Sequence, residues 1–86
     1  MATVLLSNRA QRDAASLRPI YLAALDAAIA ELATKPLSGK LLRGKLGGLR
    51  SYRVGVYRIV YEFDSRAKAV LIVSVRHRSE AYRDAR

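Results

Sequence analysis

The chain has 86 residues, 51% of them apolar, and sixteen Lys and Arg against seven Asp and Glu give it a formal charge of +9. That describes a single small domain, residues 1–86, with apolar side chains enough for one modest core and too many for a disordered chain. With no cysteine and one histidine, disulfides, thiolate catalysis and Cys- or His-rich metal sites are excluded, and the missing glycine motifs exclude P-loop and dinucleotide-binding machinery.

Thr3-Val4-Leu5-Leu6 opens the chain as a strand over 3–7. Ser7 and Asn8 follow as helix caps, and Gln11 stands three residues after Asn8 at capping-box spacing, which predicts a helix over about 9–17. Pro19 restarts the chain at a position suited to the first turn of a second helix. Tyr21, Leu25, Ala28, Ile29 and Leu32 then recur at helical spacing up to Lys35-Pro36, so the second helix spans about 19–34 and pairs with the first as a hairpin. Residues 36–49 hold four of the five glycines and read as loop with a short strand at 41–43. Residues 50–63, dense in Tyr, Val and Ile, read as two strands or one bent strand with Gly55 at a bulge or turn. Asp64-Ser65-Arg66 is a turn, Lys68–Arg78 is the strongest strand pattern, and a short helix is expected from Ser79 onward. This β-α-α-β-β-β order implies an α+β fold: an N-terminal strand and a helical hairpin packed on a mostly antiparallel sheet.

The charge is segregated. Residues 1–39 carry four basic and three acidic side chains, and residues 40–86 carry twelve and four, a net +8 in the second half. A polyanion is the partner that composition favours, nucleic acid first and acidic protein next. Apolar runs such as Ala69–Val73 are far too short for a membrane span, and no signal segment opens the chain, so no membrane partner and a cytoplasmic location are expected.

Strand alternation sorts the second half into faces. Tyr57, Ile59, Tyr61 and Phe63 share one face, and Arg58, Val60 and Glu62 the other. In the last strand, strict alternation groups Leu71, Val73, Val75 and His77 against Val70, Ile72, Ser74, Arg76 and Arg78. With the apolar faces on the helices, Arg58, Arg76 and Arg78 line the opposite face, Arg53 lies near them, and Tyr82 follows in the polar tail as an aromatic for base stacking. His77 stands in the apolar register and reads as structural. No serine lies in a nucleophile-elbow pattern.

Three segments together, Leu42-Arg43-Gly44, Tyr52-Arg53-Val54-Gly55-Val56-Tyr57-Arg58-Ile59-Val60-Tyr61 and Val75-Arg76-His77-Arg78-Ser79-Glu80-Ala81-Tyr82, resemble the RelE/ParE toxin superfamily of type II toxin–antitoxin systems. The resemblance covers nearly the whole chain. It implies a RelE-like fold, a cognate antitoxin, operator DNA bound only by the toxin–antitoxin complex, and no cofactor or metal. RelE-like members are ribosome-dependent mRNA endonucleases, or interferases; ParE-like members inhibit DNA gyrase and are not nucleases. Carried over position by position, the RelE catalytic set falls on Arg53, Arg58, Arg76 and Tyr82. The fifth family position, a basic residue, falls on Ser51, with Arg50 beside it as a partial substitute. That departure leaves the general base unassigned and the ParE-like alternative open. Lys40, Arg43, Lys45, Arg50 and Arg78 are the expected further contacts to RNA.

Overall fold

The structure is a computed structural model that describes residues 1–44 and 47–77. The strand at the start is β1 (Thr3–Leu6), followed by α1 (Asn8–Ala15). Ser7, not Asn8, is the cap of α1: its Oγ accepts from Ala10 N at 3.0 Å, while the Gln11 side chain reaches back to Leu6 O at 3.1 Å. The helix stops at Ala15 because the Ser16 hydroxyl turns onto Asp13 O at 2.8 Å, a local bond that competes with the helical ladder. Helix α2 (Pro19–Thr34) starts with proline at its first turn, as expected, and buries Leu25, Ala28 and Leu32 with Tyr21 and Ile29 half-buried alongside.

Four strands complete the fold: β2 (Lys40–Leu41), β3 (Arg50–Val54), β4 (Tyr57–Asp64) and β5 (Ala69–His77). They form one five-stranded sheet in the order β1-β5-β4-β3-β2, antiparallel except for the β1–β5 pair. Gly55 is at a turn rather than a bulge. Val54 pairs with Tyr57, and Gly55, at φ 60°, takes the first position of the two-residue loop, where a tight hairpin calls for a positive φ.

The helices cover one face of the sheet. Ala10, Leu25, Ala28 and Leu32 meet Ile59, Tyr61, Val70, Ile72 and Val75, with Val4, Leu6, Tyr52, Val54, Tyr57 and Phe63 packed around them. Tyr61 is fully buried, and its hydroxyl donates to Pro36 O at 2.7 Å and accepts from Gly39 N at 2.9 Å. The ring thereby ties the loop after α2 to the sheet. Among the described residues, no helix is long and apolar enough to cross a membrane.

One expected register is corrected. Val70 and Ile72 face the helices, as does Val75, so the last strand does not keep one alternation throughout. Opposite β4, Ser74 pairs with Val60 but Ile72 pairs with Tyr61, which leaves Val73 as an extra residue in β5. Such a bulge shifts the side-chain phase by one. Before it, even-numbered residues face the core; after it, odd-numbered residues do. Leu71 therefore does not share the face of Val75 and His77, and Val70 and Ile72 do not share the face of Arg76.

Candidate functional site

Residues directly opposite each other on neighbouring strands share a face. Arg53 pairs with Arg58, and Arg58 pairs with Arg76. The three guanidinium-bearing side chains thus form one cross-strand row over β3, β4 and β5, on the face turned away from the helices. Local sequence explains two of the three. The tight turn at Gly55-Val56 fixes the β3–β4 register and so sets Arg53 against Arg58. The third, Arg76, reaches the row because of the bulge at Val73.

The next row on the same face is Lys40, Ser51, Val60 and Ser74. It is a floor of small side chains: Ser51 is 7% exposed, Val60 9% and Ser74 8%. Arg58 and Arg76 are half-buried, and the Nε atom of each is shielded from solvent. Arg53 is exposed, and its Nε donates to Gly55 O at 3.2 Å. Like charges directly opposite in a sheet are mutually unfavourable, so such a row favours a ligand that brings negative charge. An arginine stays charged at any pH of interest and offers a planar donor fork matched to phosphate.

Ser51, where the resemblance expects a basic residue, lies in this floor. Its hydroxyl is buried and has no hydrogen-bond partner among the described residues. A hydroxyl held that way costs about 1–3 kcal/mol by protein mutational measures. Ser51→Ala is therefore expected to raise the melting temperature, by about 4–8 °C for each kcal/mol recovered in a domain of this size. Thermal unfolding followed by circular dichroism checks it, and a lower melting temperature would show that the hydroxyl stabilises the fold.

The other sequence-derived positions divide. Lys40 stands on the arginine face, and Arg43 is exposed just past β2. Arg50 pairs with Tyr61, so it belongs to the helix-covered side of the sheet, and its Nη1 donates to Gly39 O at 2.9 Å. It cannot stand in for the basic residue missing at Ser51, because adjacent residues of a strand point to opposite faces. His77 pairs with Tyr57, ring centroids 5.7 Å apart, and Tyr57 meets Tyr21 of α2 at 5.1 Å. That aromatic line runs from α2 to the end of the sheet, where His77 itself is exposed. Lys45, Arg78, Tyr82 and the expected C-terminal helix lie outside the described residues. Among the described residues, no group of three or more His, Cys, Asp and Glu side chains stands together.

Sequence reasoning passed over Ser7 and Asp13 as partners of β5. Ser7 Oγ donates to Val73 O at 2.7 Å, and Asp13 Oδ2 accepts from Val75 N at 3.0 Å. Only the non-local pairing of strands reveals them; a capping serine and a helical aspartate carry no local sign of it.

The comparisons with known proteins agree with this fold. Residues 4–82 match the family model of the ParE toxin of type II toxin–antitoxin systems, parDE. The chain is 41% identical over 83 residues to Toxin RelG of Mycobacterium tuberculosis, covering 94% of this chain and 95% of the relative. Its fold is similar to a chain of the toxin–antitoxin complex RelBE2 from M. tuberculosis, with a TM-score of 0.84 at 39% identity over 90% of this chain and 98% of the other. It also shares the fold of the intact E. coli RelBE toxin–antitoxin complex, with a TM-score of 0.76 at 22% identity over 87% and 94% of the two chains. Fold, family model and near relative converge: the chain belongs to the RelE/ParE superfamily of type II toxin–antitoxin toxins.

Proposed function

We propose that this toxin is a ribosome-dependent mRNA endonuclease, neutralised by a cognate antitoxin and acting in the cytoplasm. The observation that carries the reading is the cross-strand row of Arg53, Arg58 and Arg76. RNA supplies its own nucleophile, the 2′-hydroxyl. The 2′-hydroxyl gives up its proton to a base and its oxygen attacks the adjacent phosphorus, a dianionic phosphorane forms, and the bond from phosphorus to the 5′-oxygen breaks as that oxygen takes up a proton. Arg58 and Arg76 hold the non-bridging oxygens and the charge that develops on them, where fixed donors are worth most. Arg53, at the exposed end of the row, orients the flanking backbone. Tyr82 stacks on a base or assists proton transfer, a role worth about 10²–10⁴-fold when well placed. Arginine is a poor base near neutral pH, so the row on its own is a weak catalyst for naked RNA. The ribosome completes the site by holding the mRNA in line for attack, the step that positioning accelerates most. The partnership with an antitoxin is supported by the similarity to chains of RelBE complexes.

A reaction of this kind leaves a 2′,3′-cyclic phosphate and a 5′-hydroxyl, and needs no divalent ion on the toxin. Programmed ribosomes held intact by polyamines are expected to be cut at an unchanged rate when EDTA is added. End-group analysis of the fragments is the check. A 3′-hydroxyl end, or cleavage restored only by metal added to the toxin, would remove this mechanism.

The family model that spans most of the chain is that of ParE, which favours a second reading, a gyrase inhibitor without nuclease activity. Supercoiling assays alongside the ribosome assay separate the two.

A further inference from the structure

We infer that Asp13 is a positioning residue for Arg76, acting through the backbone amide of Val75. The inference rests on the cleavage reading above. Its starting point is an incomplete strand neighbour. β1 pairs with β5 only from Thr3↔Ala69 to Leu6↔Ile72. Past Ile72, the outer edge of β5 has lost its strand partner, and α1 with its capping residue takes over. Ser7 N donates to Ile72 O at 2.9 Å, Ser7 Oγ donates to Val73 O at 2.7 Å, and Asp13 Oδ2 accepts from Val75 N at 3.0 Å. The other Asp13 oxygen accepts from Arg9 Nε at 3.3 Å, which orients the carboxylate.

These bonds bracket the bulge. Ser7 holds the carbonyl before the bulge and that of the bulged Val73 itself, and Asp13 holds the Val75 amide on its C-terminal side. The bulge in turn decides where Arg76 points. Had β5 kept the alternation begun by Val70 and Ile72, Arg76 would face the helices and Val75 would face outward. The extra residue at Val73 turns Val75 into the core and Arg76 into the row with Arg58. Bulges re-aim side chains in this way beside functional sites. Asp13 grips the residue immediately before Arg76, across 62 positions of sequence, with a charge-assisted bond of the stronger kind. Its role is to keep the strand end from slipping back into regular register or drifting from β4.

The test compares Asp13→Ala, Asp13→Asn, Arg76→Ala and the double variant Asp13→Ala/Arg76→Ala in single-turnover cleavage on programmed ribosomes, each well below its melting temperature. Tyr61→Phe, which loosens the fold at the loop after α2, is the control for general destabilisation. Asp13→Ala is expected to lower the rate constant at saturating ribosomes at least tenfold while leaving the half-saturating concentration unchanged, since a small misplacement of a clamp costs up to about 10²-fold. Asp13→Asn keeps an acceptor oxygen and is expected to recover most of the rate. Hydrogen exchange at the Val75 amide should quicken in Asp13→Ala and not in Tyr61→Phe. Because Asp13 acts through Arg76, the double variant should be no slower than Arg76→Ala alone. An additive double variant overturns the inference, as does an Asp13→Ala that cuts at the wild-type rate while its Val75 amide exchanges freely, or a loss no greater than that of Tyr61→Phe. A wild-type toxin that leaves programmed ribosomes uncut overturns the cleavage reading itself, and this inference with it.

Discussion

Arg58→Ala and Arg76→Ala are each expected to slow single-turnover mRNA cleavage by about 10²–10³-fold, the usual effect of removing one donor that meets developing negative charge. The two arginines are a directly opposed pair on β4 and β5, and in the proposed reaction they approach one phosphate from neighbouring strands. Their side chains rise from the face away from the helices, and truncation leaves the core of Leu25, Leu32, Ile59, Tyr61, Val70 and Ile72 untouched. Melting temperature should therefore hold or rise, since a like-charge pair across two strands is relieved. Lysine at either position should recover only part of the rate, because an ammonium cannot reproduce the planar two-pronged fork. Rates at wild-type level in both alanine variants would contradict the assignment. If the same variants also kept growth arrest while gyrase supercoiling stopped, the ParE-like reading would replace it.

The second large effect concerns stability. Tyr61 fills the centre of the core and its hydroxyl satisfies both Pro36 O and Gly39 N. Tyr61→Phe keeps the ring and strands those two backbone groups, which costs about 1–3 kcal/mol. The expected fall in melting temperature is about 4–8 °C per kcal/mol. Gly39→Ala should be worse. A Cβ at Gly39 would sit 2.6 Å from the Tyr61 hydroxyl and 2.7 Å from the ring, and the fully buried ring has nowhere to go. Burial raises the Tyr61 hydroxyl above its ordinary 10.0, an effect that the Gly39 N–H and the Arg50 charge offset in part. A raised acid is held protonated in the folded chain, so this contribution is whole below pH 10 or so. It is lost as pH climbs through the folded value, because the unfolded phenol ionises first. Wild-type protein should thus lose stability more steeply than Tyr61→Phe above about pH 10, where the unfolded phenol gives up its proton. Parallel pH-dependent melts of the two proteins provide the measurement. Parallel curves would mean the hydroxyl does not titrate differently in the folded state.

Much of this architecture is written locally in the chain. Pro19 and Pro36 bracket α2, and the stripe from Tyr21 to Leu32 shows its buried side. The two residues between Val54 and Tyr57, glycine first, make a hairpin legible from spacing alone, and with it the pairing of Arg53 and Arg58. Parity also shows that Arg50 and Arg53 face opposite ways. The phase of β5 was not legible in the same manner. Val70 to Val73 is apolar at every position, so alternation has nothing to sort, and a bulge is dictated by neighbours far away in sequence. Arg76 stands in the row although strict alternation groups it with Val70 and Ile72, which lie in the core. The partners that pin that bulge, Ser7 and Asp13, have good local reasons to exist as a cap and a helical acid. Their second role appears only when α1 lies against β5.

The parallel pairing of β1 with β5 has a temporal consequence. Ser7 and Val73, bonded to each other, are 66 positions apart in the chain, so the sheet closes only when nearly the whole described segment is present. Long-range strand pairing of this kind is slow to form and rewards the chain late. During synthesis the first strand and both helices emerge before the sheet that they cover, and the hairpin of β3 and β4 can bring together only Arg53 and Arg58. Arg76 joins them after the rest of the chain has been made. The complete three-arginine row is thus the product of long-range pairing made after β5 has been synthesised.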